Sequence, residues 1–135
     1  MAITLTNTTA GVMLELPADL QWLDEFAWSV VQQSADRTLT GGLIVQVAEK
    51  LNGRPITLAA ADRDCSWLTR AAIDTLMTWS MVPGLEMSLL LRGAPRTVIF
   101  RHHDGQAVEA AAVMPADDVL PVDWYESAVI RLMEV

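Results

Sequence analysis

Apolar and polar positions alternate with a period of two along most of this chain, and one stretch breaks into helical spacing. Gly11–Leu16 and Phe26–Gln33 read as extended. In the second, Phe26, Trp28 and Val30 fall on one face, and Ala27, Ser29, Val31 and Gln33 on the other. Leu43–Leu51 runs into Asn52-Gly53 and then Arg54–Leu58. Asn-Gly between two strand-like runs predicts a tight hairpin, because both turn positions need positive φ. A second hairpin is predicted from Met87–Arg92 through Gly93-Ala94-Pro95 to Arg96–Arg101. Asp104-Gly105 then joins Val98–His102 to Ala107–Val113, which makes the last three strands a meander. Glu126–Val135 is a closing strand.

Ser66–Ser80 is the exception. Leu68, Ala72, Leu76 and Trp79 are spaced 4, 4 and 3, which sets them on one helical stripe. Asp64 or Ser66 supplies a start cap, Pro83-Gly84 a stop, and Arg70, Asp74 and Thr78 the outer side. Strands, one helix (about 66–80), then strands predict a mainly β fold. It is an antiparallel β-sandwich or barrel with one flanking α-helix, a single β-rich domain over 1–135. No repeat, low-complexity tract or linker divides it.

Composition narrows the function. The chain has 135 residues, is 52% apolar and carries a net charge of −8. An apolar fraction this high argues against disorder, and the length suffices for a core without disulfides or metal. Nine cations against seventeen acids, with Lys50 the single lysine, argue against general nucleic-acid binding and polybasic membrane recruitment. Uncharged stretches such as Thr38–Ala48 and Thr75–Leu85 are far short of the roughly 18 apolar residues of a spanning helix, and each carries Gly, Pro, Thr or Gln. The N-terminal residues lack the basic region of a secretory signal. One cysteine, Cys65, builds no internal disulfide and fits a reducing compartment, so a soluble cytoplasmic product is expected. Its acidic neighbours disfavour a thiolate nucleophile.

Candidate chemistry is sparse. His102-His103-Asp104 carries ligand types for zinc or iron, but adjacent strand residues point to opposite faces, and the chain has no other histidine. The Asp-Gly of acyl-condensing His-His motifs lies three residues further on, so that match fails. There is no Gly-x-Ser-x-Gly elbow, and no Gly-Lys-Ser/Thr follows Gly41-Gly42. Asp117, Asp118 and Asp123 lie in an acidic stretch around Pro115–Pro121 without a twelve-residue calcium pattern. Arg37, Arg96 and Arg101 suit cross-strand pairs with acids. The five tryptophans (Trp22, Trp28, Trp67, Trp79 and Trp124) suit core and interface packing better than a stacked-ligand cage. No catalytic, cofactor-binding or metal residues are therefore assigned. What stands out is uncharged strand surface: Phe26–Gln33 and Leu43–Ala48 contain no charge. Exposed strands are normally guarded by charge, so coverage by other subunits is expected.

Arg37-Thr-Leu-Thr-Gly-Gly leads into a long strand, followed by Asn-Gly-Arg-Pro-Ile-Thr-Leu, one helix, Met87-Ser-Leu-Leu-Leu-Arg-Gly, Thr97-Val-Ile-Phe-Arg-His and Tyr125-Glu-Ser-Ala-Val-Ile-Arg-Leu-Met. From about Arg37 onward this order resembles small structural proteins of the tail tip or baseplate of long-tailed bacteriophages and prophages. It is most similar to the distal-tail class, with tail-tube-like subunits. The resemblance is one of pattern rather than of a diagnostic motif. It implies a non-enzymatic virion structural protein, held in the host cytoplasm before assembly into the tail. It also implies a homo-oligomeric, usually hexameric, ring joined edge to edge around a channel. Neighbours would be tube, tape-measure or hub proteins, with no cofactor, no specific nucleic acid and no membrane. The chain lacks room for the outer domain that many distal-tail proteins carry. Two other readings compete with it. One is a small β-barrel ligand-binding or adaptor module. The other is a metal enzyme built on His102 or His103 and Asp104.

Overall fold

The computed structural model describes residues 3–62, 65–114 and 120–135. Its strands are β1 (Ile3–Asn7), β2 (Val12–Leu16), β3 (Gln21–Trp22), β4 (Val31–Arg37), β5 (Leu43–Glu49), β6 (Pro55–Ala59) and β7 (Leu68–Thr69). After helix α1 (Arg70–Ser80) come β8 (Met87–Leu91), β9 (Ala94–Phe100), β10 (Val108–Ala112) and β11 (Trp124–Glu134). The fold is mainly β with one helix, as its pattern predicts. The main sheet runs β2-β1-β8-β9-β11-β6-β3, every pair antiparallel, with β7 and β10 also on β11. The two ends of this path do not pair, so there is no closed barrel. β4 and β5 form a separate two-stranded sheet.

β11 organises the main sheet. Its register against β10 slips between Glu109↔Val129 and Ala111↔Glu126, which places an extra residue on β11. Ser127 takes that position with φ of 55°, and the bulge bends the strand. One part of β11 then meets β7, and the other lies between β6 and β9. Alternate residues point inward as the pleat requires: Met87, Leu89 and Leu91 on β8, Ile56 and Leu58 on β6, and Ala128, Ile130 and Leu132 on β11. With Leu5, Val98 and Leu76 they build one contiguous core.

Helix α1 contributes Ile73, Leu76 and Trp79 to that core and packs beside β7 and β10. It starts later than the periodicity predicts. Leu68 is buried as a strand residue, and Thr69 caps the helix by accepting from the Ala72 N–H at 3.3 Å. The Arg70 and Ala71 N–H groups donate to the Asp123 and Pro121 carbonyls, which satisfies two donors a helix start leaves open. Ser66 is not a cap. It sits buried at φ of 57°, with its N–H and hydroxyl both donating to the Asp19 carboxylate. The other candidate cap, Asp64, lies outside the described residues.

Three turn expectations fare differently. The hairpin between β8 and β9 forms, but its turn is Arg92-Gly93 at φ of 54° and 77°, the double positive φ of a two-residue primed turn, and the predicted turn residues Ala94 and Pro95 already pair as part of β9. The Asn52-Gly53 hairpin does not form. There only Gly53 has positive φ, its N–H donates to the Glu134 carbonyl, and β6 pairs with β11 and β3 instead of β5. The meander also fails at its third strand, because β10 pairs with β11 and not with β9. Phe26–Gln33 is not one strand: residues 23–27 turn, Phe26 is almost fully exposed, and the strand begins at Val31.

Candidate functional site

The feature least explained by a single chain is the β4–β5 hairpin. Every residue of both strands is exposed, and none belongs to the core. A two-stranded hairpin alone in water is marginal, and among the described residues no third strand supports it. Its local chemistry is nonetheless specific. β5 is rich in Val and Ile, which suit a pleated surface. The tip, Thr38–Gly42, is closed by the Thr38 N–H donating to the Gly42 carbonyl at 2.8 Å. The Thr38 hydroxyl accepts from the Gly42 N–H at 2.9 Å, and Gly41 supplies φ of 85°. A Cβ on Gly42 would lie 3.0 Å from that hydroxyl oxygen and would press on the Thr38 side chain that closes the tip.

The register sorts the hairpin into two faces, because directly paired residues share a side. One face carries Val31, Ala35, Leu43, Val45 and Val47, with Gln33, Arg37 and Glu49. The other carries Gln32, Ser34, Asp36 and Gln46, with Ile44 and Ala48. The apolar valines and leucine of the first face are 43–61% exposed. A protein rarely leaves such a face open to water.

The hairpin root is held by cations stacked on tryptophan. The Arg54, Arg96 and Arg92 guanidiniums lie 4.6, 5.2 and 5.9 Å from the Trp22 ring centre, and Lys50 lies 5.1 Å from that of Trp28. Arg54 also donates to the Glu25 carbonyl, Arg92 pairs with the Glu25 carboxylate, and the Lys50 N–H meets the Val30 carbonyl at 2.7 Å. The Nε atoms of Arg54 and Arg96 are buried without hydrogen-bond partners among the described residues, and both guanidiniums lie over the Trp22 ring. Arg54, which lies over the Trp22 ring of the body and 5.9 Å from the Trp28 ring, thus joins the hairpin root to the body.

The polar residues singled out for chemistry are tied into the fold or stand apart. Arg101 is buried; it donates to Asp104 at 2.8 Å and to the Thr57 hydroxyl at 2.8 Å, and lies 3.6 Å from Asp24. Asp24 in turn accepts from the Thr57 N–H and hydroxyl. Desolvation pushes the Asp104 carboxyl up. The hydrogen bond and charge of Arg101, helped by His103, outweigh that and hold it below its ordinary value. His102 and His103 are exposed beyond the end of β9, with His102 set against Phe100 rather than against ligands. Among the described residues no group of three potential metal ligands is assembled. Asp117 and Asp118 lie outside the described residues, while Asp123 accepts from the Leu120 N–H to close a turn. Arg96 pairs with Glu134 across β9 and β11, as expected of it, whereas Arg37 donates to the Gly41 carbonyl at the hairpin tip. Cys65 is half-buried in the loop before β7 and exchanges hydrogen bonds with Asp62.

The tryptophans divide by role. Trp22 and Trp79 are buried, while Trp67 and Trp124, 6.4 Å apart, form a partly exposed platform. Beside it an open groove of about 460 Å³ is lined chiefly by Trp67, Ala112, Met114, Val122, Trp124 and Tyr125. No helix among the described residues is long and apolar enough to cross a membrane.

No protein-family model, curated protein or solved structure matches this chain. The hairpin is the element that sequence reasoning missed. Its signal was present as two uncharged or weakly charged runs of equal length around Gly41-Gly42, but Asn52-Gly53 offered the stronger local turn cue.

Proposed function

We propose that this protein is a non-enzymatic structural subunit that works as an assembly. The specific reading is a distal-tail or baseplate ring component of a phage or prophage tail. The observation that carries the assembly reading is the fully exposed β4–β5 hairpin with its apolar face. Such a face is costly in a monomer and useful in a subunit whose neighbours cover it. The polar side chains support the same reading, because Arg101, Asp24, Thr57 and Asp104 are occupied with one another and not turned toward a cavity. The tail assignment itself rests on the resemblance in element order from about Arg37 onward. It implies a ring, hexameric in that class, contacting tube, tape-measure or hub proteins.

Negative-stain microscopy of the purified chain tests this reading. Ring-shaped particles are the expected outcome, and a monomer that persists at all concentrations would overturn it. A second reading, an adaptor or small ligand-binding module, draws on the groove beside Trp67 and Trp124. It expects tryptophan fluorescence to shift on titration with apolar compounds while the protein stays monomeric. The absence of a closed barrel leaves it without an enclosed barrel cavity.

A further inference from the structure

We infer that the pocket at the hairpin root binds an oxyanion of the phosphate type, held by Lys50, Arg54 and Arg96. Binding here is independent of how copies of the chain assemble.

The pocket is about 260 Å³ and lies where Glu49 at the end of β5 and residues 50–54 meet Arg96 on β9 and Glu134 at the end of β11. Lys50, Arg54 and Arg96 all line it. The chain has nine cations against seventeen acids, so three cations in one small pocket run against its overall charge. Glu49, Glu134 and Val135 line it too. Glu134 is taken by Arg96 at 3.0 Å. Lys50 and Arg54 pair with no carboxylate among the described residues. What holds them is aromatic. The Lys50 ammonium and the Arg54 guanidinium lie 5.1 and 5.9 Å from the Trp28 ring centre, and Arg54 and Arg96 lie 4.6 and 5.2 Å from that of Trp22. A ring face attracts a cation without neutralising it, so these charges are fixed in place and still open to an anion.

Their hydrogen-bonding capacity is also unspent. Arg54 donates through Nη2 to the Glu25 carbonyl, and Arg96 through Nη1 to Glu134. Arg54 Nη1, Arg96 Nη2 and the Lys50 ammonium have no partner among the described residues. Guanidinium forks beside a compact ammonium suit the oxygens of a phosphate group. Two cations without carboxylate partners match its charge of about −1.5 to −2 at neutral pH, whereas a monocarboxylate would balance only one. Val30 and Leu51 in the lining, 43% and 95% exposed, offer apolar surface to an organic group carried on the phosphate.

Thermal melting and calorimetric titration of the full chain test this, with inorganic phosphate as the probe and sodium chloride at equal ionic strength as the blank. Phosphate should raise the melting temperature above the blank, because it binds the folded chain alone. Lys50→Gln should melt close to the parent without phosphate, and should bind phosphate roughly tenfold more weakly for the loss of one charged hydrogen bond. Arg37→Gln, which changes a cation at the hairpin tip outside the pocket, should bind phosphate as the parent does. Phenyl phosphate separates the two sources of the group. Tighter binding than inorganic phosphate supports an organic monoester that meets Val30 and Leu51, and equal binding supports the free ion. A response no larger than that to chloride, or unchanged phosphate binding in Lys50→Gln, would overturn the site. So would equal weakening in Lys50→Gln and Arg37→Gln, which marks a diffuse effect of charge. Acetate binding more tightly than phosphate would overturn the phosphate assignment.

Discussion

Arg101 is the residue on which the polar interior turns. Its side chain is 8% exposed and joins β9 to β6 and β11 through Thr57 and the Leu132 carbonyl, with Asp24 and Asp104 supplying the charge. Replacing it with methionine leaves two carboxylates without their cation. Both are partly exposed and regain water, so we expect a loss of about 2 kcal/mol in urea unfolding at neutral pH. The pH dependence has a definite sign. The folded Asp104 carboxyl sits below its unfolded value, so its stabilisation is complete above the ordinary aspartate range. It is lost as pH falls through the folded value. The gap between wild type and Arg101→Met should therefore narrow on acidification, and a gap that widens would contradict the pairing. Ser127 is the converse case, a non-glycine residue held in left-handed backbone at the β11 bulge. Ser127→Gly removes that strain and should raise stability by about 0.5–1 kcal/mol, measured by chemical denaturation. The sequence suits Arg101 to pairing with acids, and it pairs with Asp24 and Asp104; which acids it meets, and the left-handed backbone at Ser127, depend on contacts between distant segments.

At the scale of elements, local cues succeed where the neighbouring structure agrees with them. The β8–β9 hairpin is legible because a short turn joins two alternating runs, and the primed turn forms at Arg92-Gly93. Asn52-Gly53 carries a stronger cue for the same turn, yet the Gly53 N–H is taken by the Glu134 carbonyl and β6 is drawn into the main sheet between β11 and β3. The helix shows the same competition at its start. Leu68 fits the helical stripe but pairs as β7 with Tyr125 on β11, which moves the cap to Thr69. Thr69→Ala should cost about 1 kcal/mol, because the Ala72 N–H loses its acceptor. Circular dichroism melting checks this, and an unchanged midpoint would mean that the cap contributes nothing.

At the scale of the molecule, burial separates a body that is complete from a hairpin that is not. The body has a contiguous core, and the hairpin has an apolar face with nothing over it. If copies associate through that face, the association depends little on long-range charge. Raising sodium chloride should therefore leave the sedimentation profile nearly unchanged, and sulfate should strengthen association by favouring apolar burial. Dissociation by moderate sodium chloride would point instead to an ionic interface. The net charge of −8 fits this picture as a property of exposed loops and strand ends, since four of the cations are spent on Trp22 and Trp28.

The sequence by itself determined the β class, the presence of one helix, the β8–β9 hairpin, and the uncharged runs that became suspect surface. Alternation decides these, because a period of two or 3.6 records which residues share a side of their own element. Only the tertiary structure decided which strands are neighbours: β5 with β4 and not β6, β10 with β11 and not β9. Alternation is the same whichever strand lies alongside, so the pairing is set by hydrogen bonds and packing between distant segments. Those distant contacts also decided that the runs Val31–Arg37 and Leu43–Glu49 stand together, outside the core, as one amphipathic hairpin.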